Sequence, residues 1–310
     1  MVRTVVIGAI NWDINLFVET FPQAGEERVV KRITRVPGGK AGNTAVAAAR
    51  LLGPNQAAIL GGLGNDSIAS DQVKIFKDEG VDVSGLKFSD EVESGQAYIV
   101  IDVKGQNIIH TYFGANVAIT PEDLDDAKRR DLISNSTVTT IMDPPYETAL
   151  KLAREAKRLK KVVAWDPGVK SELGIEKVRD VLEKVDYLVV NQFEVVNLAG
   201  TTNYDEAAAR LMGTNSELKV VTKFGAKGCV MYSEKERMTS PPLDLASLGM
   251  KVVNTLGCGD AFLGAFVAAI SEGRPDSEAL RWGNCAGGLK ATRAETRGSP
   301  DRETLLRHLT

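Results

Sequence analysis

Residues 254–266, NTLGCGDAFLGAF, contain a turn bracketed by Gly257 and Gly259, a carboxylate at Asp260 and then an apolar segment. Glycine lacks a Cβ, so this turn can adopt unusual backbone angles and let an anion approach the main chain closely. The apolar run 261–270 predicts a buried helix. Unpaired N–H groups and the positive dipole end of that helix would stabilise a phosphoryl group. Asp260 would then lie where it can take a proton from an attacking hydroxyl.

The same turn also has a purely structural interpretation, in which the glycines connect a strand to a helix and Asp260 caps the helix. Spacing alone does not decide between the two. Cys258 could act as a nucleophile, because a helix N-terminus lowers a thiol pKa, but no histidine lies nearby in the sequence to activate it. The phosphate interpretation therefore depends on a second motif elsewhere in the chain.

The composition favours a small molecule over a nucleic acid or a membrane surface as the binding partner. The chain has 310 residues, 43% of them hydrophobic, which is enough for a large core in one α/β domain or in a domain with an appendage. With 38 basic and 41 acidic residues the net charge is -3, so binding to nucleic acid or to a membrane surface has no electrostatic support. Two histidines and three dispersed cysteines disfavour metal sites built on them and a Ser-His-Asp triad. Residues 1–10 become polar too soon for a signal peptide or a membrane span, so we expect a cytoplasmic protein with a small-molecule partner.

The order of apolar strands and helices predicts an α/β fold. From residue 121 onward, apolar strands alternate with helical patterns, which is typical of right-handed βαβ units and of a mainly parallel sheet covered on both faces. Two β-rich segments, about 12–36 and 95–114, predict a small sheet at one edge of the large one. The first long helix is predicted to begin at Asn43. We therefore expect one domain over residues 1–310 with a three-layer α/β/α core.

Ligands of such sheets bind beyond the carboxyl ends of the strands. The polar residues expected at this edge are Asn11, Asp143, Asp166, Asn191 and Asp260.

A second glycine motif opens the first long helix. Residues 38–43, GGKAGN, lie downstream of residues 8–13, GAINWD, at the end of the first strand. Asn11, Asp13 and Asn43 supply donors and acceptors suited to several vicinal hydroxyls, while the glycines let a ring approach the backbone. In isolation, a helix cap at Asn43 and a turn at Asp13 are the simpler explanation.

Taken together, the two motifs resemble those of the ribokinase (PfkB-type) family of carbohydrate and nucleoside kinases, and the resemblance extends over essentially the whole chain. The matching elements are G-x-x-N-x-D at Gly8, Asn11 and Asp13, G-G-K-x-x-N at Gly38, Gly39, Lys40 and Asn43, N-x-x-E at Asn191 and Glu194, a threonine strand with a glycine loop at 222–228, and a D-T-x-G-A-G-D signature at 254–260.

The resemblance implies a ribokinase-like α/β core with a β-sheet lid, formed by the two β-rich segments, that closes over a sugar and mediates a homodimer. It implies that Asp260 is the base that activates the acceptor hydroxyl. It also implies that Gly257, Cys258 and Gly259 line an anion hole with their N–H groups. The residues expected to hold the acceptor are Asn11, Asp13, Gly39, Lys40, Asn43 and Asp143. Those expected around the nucleotide are Asn191, Thr222, Gly225, Gly228 and Asn284.

The implied cofactors are Mg²⁺ and ATP as phosphoryl donor, with ADP as an open alternative. Glu194, through water, and Asn191 would organise Mg²⁺, which keeps much of its water shell. The first residue of the signature is usually aspartate and here is Asn254, which removes a negative charge where many family members bind a monovalent cation and argues against potassium activation. Cys258 replaces the usual alanine, with little harm expected because the anion hole uses backbone N–H groups.

The sequence leaves the acceptor open between two main classes. The G-x-x-N-x-D and G-G-K segments are similar to those of a ribokinase pocket and favour ribose or another pentose-type sugar. Segments 142–145, MDPP, and 165–168, WDPG, are more similar to archaeal nucleoside kinases. The aromatic residues in or near the lid that could stack on a nucleobase are Trp12, Phe17, Tyr112 and Phe113.

A phosphorylated pentose is a further alternative if Lys40 and a lid arginine such as Arg28 face the pocket. A non-enzymatic sugar- or nucleotide-binding protein is disfavoured because Asp260, Asn191 and Glu194 are all present.

Overall fold

A computed structural model describes residues 2–309 of the protein. The strands, in chain order, are β1 (Thr4–Gly8), β2 (Asn11–Phe17), β3 (Arg32–Gly38), β4 (Ala57–Gly64), β5 (Val81–Ser89), β6 (Gly95–Ile101), β7 (Asn107–Tyr112), β8 (Val138–Met142), β9 (Val162–Asp166), β10 (Tyr187–Asn191), β11 (Lys219–Lys223), β12 (Cys229–Tyr232) and β13 (Arg237–Ser240). The α-helices are α1 (Lys40–Leu52), α2 (Ser67–Asp78), α3 (Ala127–Asn135), α4 (Tyr146–Arg158), α5 (Ile175–Leu182), α6 (Gln192–Ala199), α7 (Tyr204–Met212), α8 (Cys258–Ser271), α9 (Asp276–Ala291) and α10 (Arg302–Arg307). Over residues 2–309, none of the helices combines the length and the apolar character needed to cross a bilayer.

The large sheet has nine strands in the order β13-β12-β11-β10-β9-β8-β1-β4-β5. Every pair from β11 to β5 is parallel, and only β12 and β13 join antiparallel at one edge. This confirms the prediction of a mainly parallel sheet.

Two hydrophobic cores, one on each face of the large sheet, give the protein three layers. Side chains alternate along a strand, so Val6 of β1 packs in one core while Val5 and Ile7 pack in the other. The first core includes apolar residues of α1, α8 and α9, and the second includes residues of α4, α5, α6 and α7. The α/β/α arrangement is therefore as the sequence predicts.

A separate sheet of four strands, in the order β3-β2-β6-β7, extends from the core. The β-rich segments around residues 12–36 and 95–114 contain these strands apart from Asn11, Pro37 and Gly38. Asp13 and Trp12 lie on opposite faces of this sheet because successive side chains of a strand alternate.

Two helices begin earlier than the apolar pattern predicts. Helix α1 begins at Lys40 rather than at Asn43, and α8 begins at Cys258 rather than at residue 261. The preceding glycines, Gly39 with φ 86° and Gly257 with φ 82°, take left-handed conformations that end the incoming segment and allow the helix to start at once. Hydrophobic periodicity does not reveal these first turns because their residues are small or polar.

Candidate active site

Charged and polar side chains line the carboxyl edge of the large sheet. Asp166, Asn191 and Lys223 end the adjacent strands β9, β10 and β11, and Asp143 directly follows β8. The ends of parallel neighbours meet at one edge of a sheet, which is the usual ligand site of this architecture.

Asp260 lies in the first turn of α8 and is buried, with 9% of its surface exposed. The side-chain amide of Asn43, on α1, donates to Asp260 Oδ2 at 2.8 Å, and Thr44 Oγ1 donates to the Asp260 carbonyl at 3.3 Å. Burial raises the pKa of Asp260 above its ordinary value, against the hydrogen bond from Asn43 and the attraction of Lys40. A carboxylate with a raised pKa is suited to accept a proton. The structure thus brings two predicted site residues, one from each glycine motif, into direct contact.

The turn before α8 has the tight geometry that the glycines suggest. A Cβ on Gly257 would overlap the carbonyl oxygen of Thr296, so only glycine fits there without movement. A Cβ on Gly259 would lie 3.5 Å from Lys223 Nζ, which places a positive charge close to the helix N-terminus. The N–H of Cys258 already donates to the Thr255 carbonyl at 3.2 Å, so one of the three expected anion-hole donors has a partner within the turn.

The Cys258 side chain does not have the environment of a nucleophile. Burial raises the pKa of its thiol above the ordinary value, which disfavours the reactive thiolate at neutral pH.

Lys40 and Lys223 share the carboxylate of Asp166. Lys40 Nζ lies 3.2 Å from Asp166 Oδ1, and Lys223 Nζ lies 3.1 Å from Oδ2. Burial acts to raise the pKa of Asp166, but the two ammonium groups outweigh it and lower the pKa to about 2. Burial likewise acts to lower the pKa of Lys40, but Asp166, Asp143 and Glu194 together raise it above its ordinary value. Lys40 is therefore charged at neutral pH. Lys223 lies beside the first turn of α8.

Asp143 and Gly39 complete the surroundings of Lys40. Asp143 has an unusual φ of 56°, and its carboxylate lies 4.0 Å from Lys40 Nζ and 3.6 Å from Lys170 Nζ. Burial raises the pKa of Asp143 against the attraction of Lys40 and Lys170. A Cβ on Gly39 would overlap the Ala9 carbonyl, so the start of α1 packs directly on the end of the first strand.

Arg297 is a buried residue that the sequence did not single out. Its guanidinium donates to Asn43 Oδ1 at 3.0 Å, to Gln72 Oε1 at 2.9 Å and to the Gly38 carbonyl at 2.7 Å. It therefore holds Asn43, which in turn contacts Asp260, and it also holds the last residue of β3. No motif indicates Arg297, because it is 254 residues away from Asn43 in the chain.

Asp13 points toward this network from the small sheet. Its carboxylate packs against Gly38, where a Cβ would overlap it. Burial raises the pKa of Asp13 to about 7, with Arg297 acting to lower it and Asp260 acting to raise it. Asp13 and Asp260 are thus close enough to interact electrostatically, although Asp13 lies on β2 of the small sheet and Asp260 on α8.

Asn11 is fixed by two residues that the sequence did not indicate. Asn116 Nδ2 donates to Asn11 Oδ1 at 2.7 Å, and Gln72 Nε2 donates to the Asn11 carbonyl at 2.7 Å. Both partners are ordinary amides outside any motif, so only the fold identifies them.

A cavity of about 790 Å³ adjoins the first turn of α8. Three of the residues expected around a nucleotide, Gly225, Gly228 and Asn284, line it together with Lys223 and Gly259. Much of the remaining wall is apolar, with Leu243, Leu245, Val252, Phe262 and Ala291. Thr222 instead lies buried in β11 and is not part of the lining.

Asn191 and Glu194 form a capping box at the start of α6. Asn191 Oδ1 accepts from the N–H of Glu194 at 2.9 Å, and Glu194 Oε2 accepts from the N–H of Asn191 at 2.8 Å. The other oxygen, Glu194 Oε1, faces Lys40 Nζ at 3.6 Å. Residues 2–309 contain no group of three or more His, Cys, Asp or Glu side chains that could hold a metal. The one carboxylate oxygen of Glu194 that the capping box leaves free fits Mg²⁺ only if water and phosphate supply most of its ligands, as Mg²⁺ prefers.

The structure also places the lid residues on which the alternative acceptors depend. Arg28 is in an exposed segment, where its guanidinium pairs with Glu26 at 2.7 Å. Trp12 and Tyr112 share the face of the small sheet opposite to Asp13. Phe17 is covered by the Arg32 guanidinium, 3.9 Å from its ring centroid.

A family model described as pfkB family carbohydrate kinase matches residues 1–303. An ATP-dependent ribose-1-phosphate kinase of Halopiger xanaduensis is 27% identical over 306 residues, which cover 98% of this chain and 97% of that protein. A ribokinase of Dictyostelium discoideum is 28% identical over 312 residues, covering 95% of this chain and 96% of the relative. The solved structure of Arabidopsis thaliana ribokinase complexed with ribose and ATP has a TM-score of 0.87 at 26% identity, covering 100% of this chain and 99% of the other.

The protein belongs to the pfkB family of carbohydrate kinases and is a sugar kinase with the ribokinase fold.

Proposed function

We propose that the protein transfers the γ-phosphoryl group of ATP to a hydroxyl of a pentose-type sugar. The observation that carries this proposal is the contact between Asn43 and Asp260. It joins the helix expected to hold the sugar to the helix whose N-terminus would hold the phosphoryl group. The donor is proposed as ATP because the Arabidopsis ribokinase of the same fold was solved with ribose and ATP.

In the proposed reaction, the sugar hydroxyl attacks the γ-phosphorus, the new O–P bond forms, and the bond to the β-phosphate oxygen breaks. Asp260 takes the proton of the attacking hydroxyl. Charge that develops on the transferring group is stabilised by free N–H groups in the first turn of α8 and by Lys223 nearby. Asp166 holds both Lys40 and Lys223 in place for this role through ion pairs.

Mg²⁺, when bound, neutralises charge on the donor phosphates, and Glu194 is the residue that would hold it through water. The proposed sugar contacts are Asn11 and Asp13 on the small sheet and Asn43 on α1. Fixed amides and carboxylates of this kind orient vicinal hydroxyls, and the small sheet would exclude water above them.

A sugar fits this arrangement better than a nucleoside. Of the four aromatic residues proposed to stack on a base, Trp12 and Tyr112 face away from Asp13 and Phe17 is covered by Arg32. Phe113 follows β7 and is not on a strand of the small sheet. A nucleobase would therefore lack an aromatic surface from the small sheet.

A pentose phosphate is the second candidate, favoured by the full-length similarity to a ribose-1-phosphate kinase. Lys40 and Lys170 lie on either side of Asp143 and would supply positive charge for a phosphate on the acceptor.

The acceptor is tested with a coupled assay over ribose, fructose, ribose 1-phosphate, cytidine, adenosine and inosine, each with ATP and with ADP. We expect the highest kcat/KM with a pentose and ATP. A clear preference for ribose 1-phosphate would select the second candidate, and a preference for a nucleoside would overturn both.

The role of the base is tested with Asp260→Asn. We expect turnover to fall by about 10²–10⁴-fold with little change in sugar affinity, because the general base is lost while the packing is kept. Asp71→Asn, on the exposed surface of α2, is the matched control and should retain wild-type turnover. Near-normal turnover of the Asp260→Asn enzyme would contradict the proposal.

We also propose a cytoplasmic homodimer formed through the small sheet. The face opposite to Asp13 exposes Ile33, Tyr98, Ile108 and Tyr112, and contiguous apolar surface of this kind usually marks an interface. Light scattering tests this prediction: Ile108→Lys together with Tyr98→Glu should yield a monomer, whereas a monomeric wild-type protein would contradict it.

A further inference from the structure

Lys290 is buried without a carboxylate partner. It lies in the last turn of α9, and none of its surface is exposed. Its ammonium donates to the carbonyl oxygen of Asn254 at 2.8 Å and, at 3.4 Å, to that of Arg293. Within residues 2–309 it forms no ion pair. A buried ammonium is costly unless its hydrogen bonds are made, so its position between two carbonyls requires a physical explanation.

The two carbonyls belong to the turn before α8 and to the segment after α9. The side-chain amide of Asn254 crosses between the same segments, donating to the Ala294 carbonyl at 2.7 Å. Asn254 Oδ1 accepts from the N–H of Leu256 at 3.0 Å, within the turn. The turn then ends at Gly257, which packs against the Thr296 carbonyl. Lys290 therefore supplies the charged link in a set of contacts that fixes the turn.

Backbone carbonyls that converge in this way attract a cation. Here the ammonium of Lys290 and the amide of Asn254 already satisfy the carbonyls of Asn254, Arg293 and Ala294. These residues do not fit the added monovalent cation that many family members bind, because side-chain donors already occupy the carbonyl oxygens that would be its ligands.

We propose that Lys290 is a positioning residue whose ammonium serves as a built-in cation behind the anion hole. It holds the turn at residues 254–257 so that the first N–H groups of α8 face the transferring phosphoryl group. This inference rests on the proposed phosphoryl transfer. Since the charge is part of the chain, the wild-type rate does not depend on added potassium or ammonium.

The test compares three enzymes in tetramethylammonium chloride, with and without KCl or NH₄Cl at constant ionic strength. Lys290→Ala removes the ammonium and leaves room for a small cation. Lys290→Met removes the charge but fills most of the space, so it is the matched control.

We expect the wild-type kcat to be the same in all three salts. In tetramethylammonium, kcat of both variants should fall by about tenfold or more, with acceptor KM changed by less than about threefold, because the turn acts on the transition state. KCl or NH₄Cl should restore much of the Lys290→Ala rate and little of the Lys290→Met rate. This contrast would not arise if Lys290 acted only by packing.

Wild-type activity that requires potassium would overturn the inference, and so would a Lys290→Ala enzyme that is fully active or folded but not rescued. Thermal unfolding in the same salts gives a second readout that needs no substrate. Potassium or ammonium should raise the Tm of Lys290→Ala relative to tetramethylammonium, and should leave that of Lys290→Met unchanged. Equal responses of the two variants would overturn the inference even if no acceptor were phosphorylated.

Discussion

Asp13→Asn should stabilise the folded protein at alkaline pH while it weakens binding of the sugar. Asp13 is 8% exposed, its carboxylate packs against Gly38, and burial raises its pKa from 3.8 to about 7. Asparagine has nearly the same shape and carries no charge. The change therefore removes an unfavourable buried charge with little alteration of packing.

The magnitude follows from the difference in pKa between the folded and the unfolded chain. At about 1.36 kcal/mol for each pH unit, the difference between 3.8 and about 7 corresponds to about 4 kcal/mol. Because the folded protein holds this proton to higher pH, the contribution of Asp13 to stability is fully present below about pH 4. It declines as pH rises and is lost above about pH 7.

We therefore expect Asp13→Asn to raise the free energy of unfolding by about 4 kcal/mol at pH 8 and by less than half of that at pH 5. For 310 residues with an unfolding entropy of about 2.1 cal/mol/K per residue, the gain at pH 8 corresponds to about 6 °C in Tm. Urea unfolding at the two pH values measures the effect, with Asp71→Asn on exposed α2 as the control.

The same variant should lose affinity for the sugar if Asp13 binds it as proposed, because a carboxylate that can accept two hydroxyls is replaced by a group with one acceptor oxygen. A loss of stability at pH 8, or an equal effect at both pH values, would refute the reasoning. It would mean that Arg297 compensates the charge of Asp13 more completely than the burial of the carboxylate disfavours it.

The remaining predictions concern the turn, the base and the shared carboxylate. Gly257→Ala should abolish turnover, and it should destabilise the protein more than Gly273→Ala does. Both glycines have positive φ, but only a Cβ on Gly257 would overlap a neighbouring carbonyl. Kinetics and urea unfolding of the two variants measure the difference. Asn43→Ala should move the acidic limb of the kcat pH profile to higher pH, since the amide it removes lowers the pKa of Asp260. Asp166→Asn should cost about 2–3 kcal/mol at pH 7, and that cost should fade as pH drops from about 4 toward 2, where the wild-type carboxylate also becomes neutral. Equal unfolding curves for Asp166→Asn and wild type at pH 7 would contradict this last expectation.

Much of the fold could be predicted from the sequence, because strands buried on both faces are continuous apolar runs and helices have their own period. Val138–Met142 and Lys219–Lys223 are strands within the region from residue 121 onward where the alternation of strands and helices is predicted. Hydrophobic periodicity does not reveal the first turns of α1 and α8, since they follow positive-φ glycines and contain no apolar stripe.

The residues of the candidate site likewise fall into those that the sequence indicates and those that only the fold identifies. Residues within the two glycine motifs were predicted because local chemistry distinguishes them. Arg297, Gln72 and Asn116 were not, because their importance depends on contacts between elements distant in the chain. Lys290 looks like an ordinary helical lysine until its carbonyl partners are known.

Gly39 is the single residue between the end of β3 and the start of α1. A Cβ on Gly39 would overlap the Ala9 carbonyl and the Asn11 nitrogen, between β1 and β2. The same Ala9 carbonyl accepts from the N–H of Ala41 at 3.1 Å. Two of the four connections between the small sheet and the core therefore meet here, so a change in the angle of the sheet would move both together. A ligand that contacts both the small sheet and α1 would favour one angle between them. By reciprocity, that angle would set how tightly the ligand is bound. A sugar that lacks one hydroxyl should therefore bind less tightly. It should also favour that angle of the sheet less, by the same free energy.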